Sequence, residues 1–131
     1  MVERINEVRK EKYNLEAKLG GDFAKEVFKV RGKESGKSFA IKRFRTDILS
    51  EEQKTELSKV SKYMQAFDHP NVIKVERAFK GKDGYQNLVV EFADAGNLSD
   101  LIEQRTMQGH PFSEAELVNY ISQICKAVSY V

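Results

Sequence analysis

The sequence is poor in the residues that build covalent or metal-held frameworks. Cys125 is the only cysteine, so no intrachain disulfide can form and a reducing compartment fits. His69 and His110 stand apart from each other and from Cys125, without metal-ligand spacing. We therefore predict no metal site. With only 2 Pro and 8 Gly, the chain also lacks the composition of a low-complexity segment, so we expect one globular domain with one core.

Long apolar runs are missing as well. No stretch of about 18 apolar residues occurs, which argues against a transmembrane helix and gives no reason to expect a membrane partner. The first residues, Met1 to Glu7, are polar and mixed in charge, unlike a secretory signal. A cytoplasmic protein is the resulting expectation.

The chain has no strong excess of either charge, since its net charge is +2. The charges are nevertheless uneven: Lys29 to Arg45 holds seven Lys or Arg and one acid, whereas Glu91 to Glu103 holds four acids and no base. This pattern fits either two faces of a cleft or ordinary solvated surface. An interpretation of the chain as a nucleic-acid-binding α+β domain would depend on the basic run alone. It would predict binding that weakens steeply with salt concentration. Without interleaved aromatic residues, we predict no nucleic acid partner.

Periodicity and turn signals predict three strands, a helix, two strands and two helices. Alternating residues from Tyr13 to Leu19 indicate a half-buried strand, and Asp83-Gly84 is a hairpin signal. Ser50 and Ser113 each open a capping box, with Gln53 and Glu116 three residues later. The predicted strands are 13–19, from 27, 38–44, 72–79 and 85–92, and the predicted helices are 51–67, 98–105 and from 114. Leu57, Val60, Met64 and Phe67 form the expected apolar stripe of the first helix.

The last predicted helix carries an apolar stripe of its own, made by Leu117, Ile121, Ile124 and Val128. No Gly, Asn or Pro stop signal follows before Val131. We expect the fold to be incomplete and this stripe to be covered by further chain or by a protein partner.

Several motifs resemble the N-terminal lobe of eukaryotic protein kinases, over residues 13–131. Leu19-Gly20 and Val27 match the ends of the glycine-rich loop, and Phe39-Ala40-Ile41-Lys42 is similar to the V-A-I-K of the third strand. His69-Pro70-Asn71-Val72-Ile73 resembles the H-P-N-I stretch, and Leu88 to Ala93 resembles the hinge, followed by Gly96-Asn97-Leu98. Residues 93–102, with Gln123-Ile124-Cys125, look most similar to the NIMA-related serine/threonine kinases.

The resemblance implies an α+β fold: a kinase-like N-lobe at 13–92, with a five-stranded antiparallel sheet and a C-helix. A hinge follows at 93–97 and the start of an incomplete helical C-lobe at 98–131, while residues 1–12 would be an arm or a short helix. It also implies an ATP site, in which Lys42 would hold the α- and β-phosphates. The resemblance places Gly20 in the glycine-rich loop and Val90 at the gatekeeper position. The backbones of Glu91 and Ala93 would pair with the adenine edge, and Asn97 would stand on the ribose side. The side chains implied to sandwich the adenine ring are those of Val27, Ala40 and Leu98.

Two departures from the pattern weaken the implied ATP site. Asp22 and Lys25 stand where the second and third glycines of the loop are expected, and the Asp22 carboxylate would repel phosphate. Val60 falls where a C-helix glutamate should pair with Lys42. Glu56 lies one helical turn earlier and could substitute, or it could simply border the apolar stripe.

The 131 residues contain no H-R-D catalytic loop, no D-F-G and no A-P-E. We therefore predict no catalytic residues in this chain, and magnesium binding only together with a C-lobe. Two hypotheses remain open: a pseudokinase-like scaffold or binding module, and the N-terminal part of an active ATP-dependent serine/threonine kinase. The NIMA-related family is linked to microtubules and cilia, so the resemblance also implies a cytoskeletal or ciliary setting.

Overall fold

The structure, a computed structural model, describes residues 12–131. These residues form two compact units: residues 12–68 with 73–92, and residues 69–72 with 93–131. Apart from Lys12, the arm or short helix predicted for residues 1–12 lies outside the described residues.

The first unit is built on one sheet of five strands. They are β1 (Tyr13–Gly21), β2 (Lys25–Gly32), β3 (Ser38–Arg45), β4 (Val75–Lys80) and β5 (Tyr85–Glu91). Every neighbouring pair is antiparallel and the spatial order is β1-β2-β3-β5-β4. The predicted α+β class and five-stranded antiparallel sheet are confirmed. β4 begins at Val75 rather than at Val72, because the Val72 N–H donates to the His69 carbonyl in a turn, 3.0 Å away.

The two faces of this sheet carry separate apolar clusters, since successive side chains of a strand point to opposite sides. Phe28, Val30, Ile41 and Val89 form the cluster on one face. Ala40, Val75, Leu88 and Val90 form the cluster on the other, which we call the helix face because Met64 of the following helix packs there.

The helix that packs on this face is α1 (Glu51–Ala66). Its start is the predicted capping box, because the Ser50 hydroxyl accepts from the Gln53 N–H and the Gln53 side chain accepts from the Ser50 N–H. Ser61 is buried in α1, and its hydroxyl donates to the Leu57 carbonyl at 2.7 Å, which satisfies the buried polar group. Val60, predicted in the apolar stripe, is 42% exposed, so that assignment was wrong. Val60 lies about 100° around the helix from Ser61 and therefore turns away from the buried side.

The second unit contains α2 (Leu98–Met107) and α3 (Glu114–Tyr130). Residues 69–72 belong to this unit although they lie between α1 and β4 in the chain. The His69 ring stacks on the Tyr130 ring with centroids 4.9 Å apart, and the Asn71 amide donates to the Gln123 side chain at 3.0 Å. These two contacts tie the turn after α1 to α3.

The apolar side of α3 is solvent-exposed. All four residues predicted for the stripe are exposed, and so is Val118; the four are Leu117, Ile121, Ile124 and Val128. Within residues 12–131, no helix has both the length and the apolar character that a membrane span requires.

Candidate functional site

The residues singled out in the sequence first meet in a row that crosses the sheet. Gly20 on β1 lies opposite Val27 on β2, Val27 opposite Lys42 on β3, and Lys42 opposite Leu88 on β5. Four separate chain segments therefore supply neighbouring positions of one row, which only strand pairing could align.

A second row lies at Ala40, two residues before Lys42 on β3, so it presents the same face as Lys42. Ala40 lies opposite Val90 on β5, and Val90 opposite Val75 on β4. Ala40 and Val90 belong to the apolar cluster of the helix face, and Val27 packs against it. The structure thus brings Gly20, Val27, Ala40, Lys42 and Val90 together on one side of the sheet, with a mostly buried apolar cluster beside a lysine.

Lys42 is the one cation of this arrangement, and it is half-buried. Among residues 12–131, none of the ion pairs or hydrogen bonds involves its ammonium group. Val60, which stands where the pairing glutamate is expected, and Glu56, the alternative partner one turn earlier, are both exposed. The charge of Lys42 is therefore not matched by an acid of α1, in contrast to the pair that the kinase pattern calls for.

The β1–β2 turn holds its own acid in a defined place. The Asp22 Oδ1 atom accepts hydrogen bonds from the N–H groups of Ala24 and Lys25, each at 2.9 Å. These two bonds, from Ala24 first and Lys25 second, hold the pKa of the exposed Asp22 carboxyl below its usual range. The turn is closed further by the Asp22 N–H, which donates to the Lys25 carbonyl at 2.7 Å.

The two glycines before this turn have different structural demands. Gly21 has φ of +130°, and a Cβ built there would collide with the Lys25 carbonyl oxygen, so glycine is required by the backbone. A Cβ at Gly20 would meet nothing within 4 Å. Gly20, the residue that matches the glycine-rich loop, is thus not required by packing within the described residues, whereas its neighbour is.

The remaining predicted site residues lie at the end of β5 and in the second unit. The Glu91 N–H donates to the Lys74 carbonyl at 3.0 Å, and the Lys74 N–H donates to the Glu91 carboxylate at 2.9 Å. Ala93 is exposed, and Leu98 is the exposed first residue of α2. Asn97 is the N-cap of α2, and its side-chain oxygen accepts from the Asp100 N–H at 2.8 Å. The nucleotide roles implied for these four residues stay predictions.

Most of the basic run at Lys29 to Arg45 is neutralised locally. Lys29 and Arg31 both pair with Glu16 across the β1–β2 ladder, and Arg45 pairs with Asp47. Arg43 is fully buried, with its Nε donating to Asn87 at 3.0 Å and its guanidinium over the Tyr85 ring at 4.2 Å. The burial of this arginine was not predicted, although its place two residues after Ile41, on the same face of β3, was a usable signal.

The described residues offer no obvious metal centre. Within residues 12–131, no three His, Cys, Asp or Glu side chains come together in an arrangement that could hold a metal ion. The candidate site therefore consists of a mostly buried apolar cluster edged by Val27, one unmatched lysine, and a turn whose own carboxylate accepts its N–H groups.

Comparison with known proteins gives a family for this chain. The protein kinase domain family matches residues 13–131, and the chain belongs to that family. Among curated relatives, it is 31% identical to the probable serine/threonine-protein kinase nek1 of Dictyostelium discoideum over 92% of this chain. It is 30% identical to human NUAK family SNF1-like kinase 1 and 27% identical to mouse serine/threonine-protein kinase Nek1, each over 92% of this chain. The matched regions span 24%, 18% and 10% of those relatives, respectively. The predicted resemblance to the NIMA-related kinases is confirmed.

Proposed function

We propose that this chain forms the nucleotide-facing part of a serine/threonine protein kinase domain, and that it binds ATP weakly and does not transfer phosphate by itself. The observation that carries the proposal is the alignment of Lys42 with Gly20 and Val27 in one row, beside Ala40 and Val90. An apolar surface with a few convergent polar groups is the usual form of a small-molecule site.

The chemistry of the two rows fits the two parts of a nucleotide. Val27 is half-buried and Ala40 is 8% exposed, so these two would supply the aliphatic contacts for a flat base, with the buried Val90 behind them. The unmatched Lys42 ammonium would supply a cation for phosphate oxygens. The turn does not fit as well, since the carboxylate of Asp22 stands among the N–H groups that would face an anion. This combination argues for base binding with weak phosphate binding.

Phosphate transfer requires a positioned base and magnesium ligands in addition to the lysine. The 131 residues contain neither H-R-D nor D-F-G, and no other constellation in the described residues offers those groups. Magnesium would accordingly be held only when a C-lobe supplies the acids.

The second candidate is a pseudokinase-like scaffold or binding module. Two observations favour this alternative. Val60 stands exposed at the position of the expected glutamate, and the Asp22 carboxylate accepts from the N–H groups of the β1–β2 turn. The exposed apolar side of α3 would then be a protein-binding surface.

The test is a thermal-shift titration of the purified chain with adenosine and with ATP, with and without magnesium. A ligand at 100 times its Kd stabilises the folded state by about 2.7 kcal/mol, which raises the melting temperature. We expect stabilisation by adenosine, a smaller effect of ATP, and loss of the ATP effect in Lys42→Ala. Lys37→Ala, in the exposed β2–β3 turn, is the matched control and should behave as the unchanged chain. Absence of any shift with both ligands, in a folded protein, would favour the scaffold.

A further inference from the structure

The β1–β2 turn presents two backbone N–H groups in the same direction, as anion-binding turns do. Here those of Ala24 and Lys25 both donate to one oxygen of Asp22 at 2.9 Å. A single internal carboxylate oxygen thus takes the position that an oxygen of a bound anion would take. An incoming phosphate has to displace this oxygen and also meets its negative charge.

The surroundings of the turn hold the carboxylate in this position without neutralising it through a salt bridge. Among the described residues no ion pair involves Asp22, and Lys18, the nearby basic residue of β1, pairs with Glu26 at 3.3 Å. The Arg45 guanidinium lies over the Phe23 ring at 4.3 Å and pairs with Asp47. Lys18 and Arg45 are therefore engaged elsewhere, and the Lys25 ammonium acts on Asp22 through its charge without forming an ion pair. The Asp22 carboxylate at the tip of the hairpin is thus held by backbone hydrogen bonds and not by a salt bridge.

We propose that Asp22 is an internal anion that takes the place of a nucleotide phosphate, so that the site selects nucleosides over nucleoside triphosphates. This inference rests on the proposed nucleotide site, because it concerns which ligand class that site accepts. It assigns Asp22 a role in specificity and assigns none to it in chemistry.

Two substitutions separate the charge of Asp22 from its hydrogen bonds. Asp22→Asn keeps a side-chain oxygen that can accept from the Ala24 and Lys25 N–H groups, and removes the charge. Asp22→Gly removes both the charge and the acceptor, which frees the two N–H groups. Glu34→Gln, in the β2–β3 turn, removes the same charge from another exposed turn and is the matched control.

The experiment measures the Kd of adenosine and of ATP for the unchanged chain and the three variants, by calorimetric titration at fixed salt. We expect ATP to bind about five- to tenfold more tightly to Asp22→Asn, since one like charge near the phosphates is removed. The gain should be larger for Asp22→Gly, and the Kd of adenosine should change less than about twofold in both. Glu34→Gln should leave both constants unchanged.

The outcomes separate this inference from the function on which it rests. If adenosine binds but the ratio of the two constants is the same in all four proteins, Asp22 does not set specificity and the inference is overturned while the nucleotide site stands. If adenosine binds to none of them, the nucleotide site itself is wrong and the inference falls with it. Should Asp22→Gly fail to fold, the ratio for Asp22→Asn decides.

Discussion

The Arg43 guanidinium, fully buried beneath the sheet, donates to the carboxylate of Asp83 in the turn between β4 and β5. Its Nη1 atom makes no hydrogen bond within the described residues and lies 3.8 Å from Glu26. The pair therefore links β3 to the β4–β5 hairpin at a point where water does not reach the cation. A buried charge is strongly destabilised when its partner is removed.

We expect Asp83→Ala to lower the free energy of unfolding by about 3 kcal/mol, because Arg43 is left without its main acceptor. The double variant Arg43→Met with Asp83→Ala should be more stable than Asp83→Ala alone, because no uncompensated charge remains. Urea unfolding of the unchanged chain, of these two variants and of Arg43→Met gives the four free energies of a double-mutant cycle. Equal stability of Asp83→Ala and the unchanged chain would show that the pair does not hold the hairpin.

The two neighbouring glycines should respond differently to one added methyl group. Gly21→Ala should cost about 2 kcal/mol of stability, because φ of +130° is strained for alanine and the new Cβ collides with the Lys25 carbonyl. Gly20→Ala should change stability by less than about 0.5 kcal/mol, because the added Cβ meets open space. Thermal melting of the two variants provides the comparison. A large loss at Gly20 would mean that its role is packing rather than access for a ligand.

Low pH should lower the stability of the second unit, partly because Glu116 becomes protonated. Its pKa is lowered, chiefly by the hydrogen bond from the Ser113 N–H and further by that from Arg105. Because the folded-state pKa lies below the unfolded one, this stability is present above the unfolded pKa and is lost as pH falls through the folded value. Glu116→Gln, which retains an acceptor for the cap, should flatten the decline in stability that sets in as pH falls toward the ordinary glutamate pKa of 4.5 and continues below it. Glu114→Gln, in the same first turn, is the control, and an equal flattening there would argue against a specific role of Glu116.

The exposed apolar side of α3 should make the isolated chain prone to self-association. Exposed apolar patches of this kind mark interaction surfaces or aggregation sites. We expect Ile121→Gln with Val128→Gln to raise the monomer fraction, since both side chains are more than half exposed. Light scattering and sedimentation, with circular dichroism as the check of helix content, measure this. The double change Ser122→Ala with Ser129→Ala is the matched control, and a monomeric unchanged chain with a sharp, high-temperature melt would contradict the expectation.

Local signals predicted most of the elements because they depend on residues close in the chain. The capping boxes at Ser50 and Ser113 placed the starts of α1 and α3 correctly. Alternation and turn signals together predicted all five strands, with end shifts of one to three residues. The late start of β4 escaped prediction because the Val72 N–H is engaged with His69 in a turn, a contact that an apolar pattern does not reveal.

Burial was predicted less well where a distant partner decides it. Val60 is apolar at helical spacing, yet the buried side of α1 centres on Ser61, whose hydroxyl is satisfied within its own helix. Arg43 is charged, yet it is buried because Asp83, Asn87 and Tyr85 surround it from β5 and its turn. Neither outcome follows from residue type alone.

The sequence by itself determined the order of the elements, the N-caps of α1 and α3 and the kinase family, because each of these depends on a short motif. Tertiary structure alone decided that one row across the sheet is shared by Gly20, Val27, Lys42 and Leu88. It also decided that the Asp22 carboxylate accepts hydrogen bonds from the N–H groups of its own turn. The physical reason is that strand register and hydrogen-bond partners depend on backbone geometry, whereas motifs depend only on residue identity and spacing.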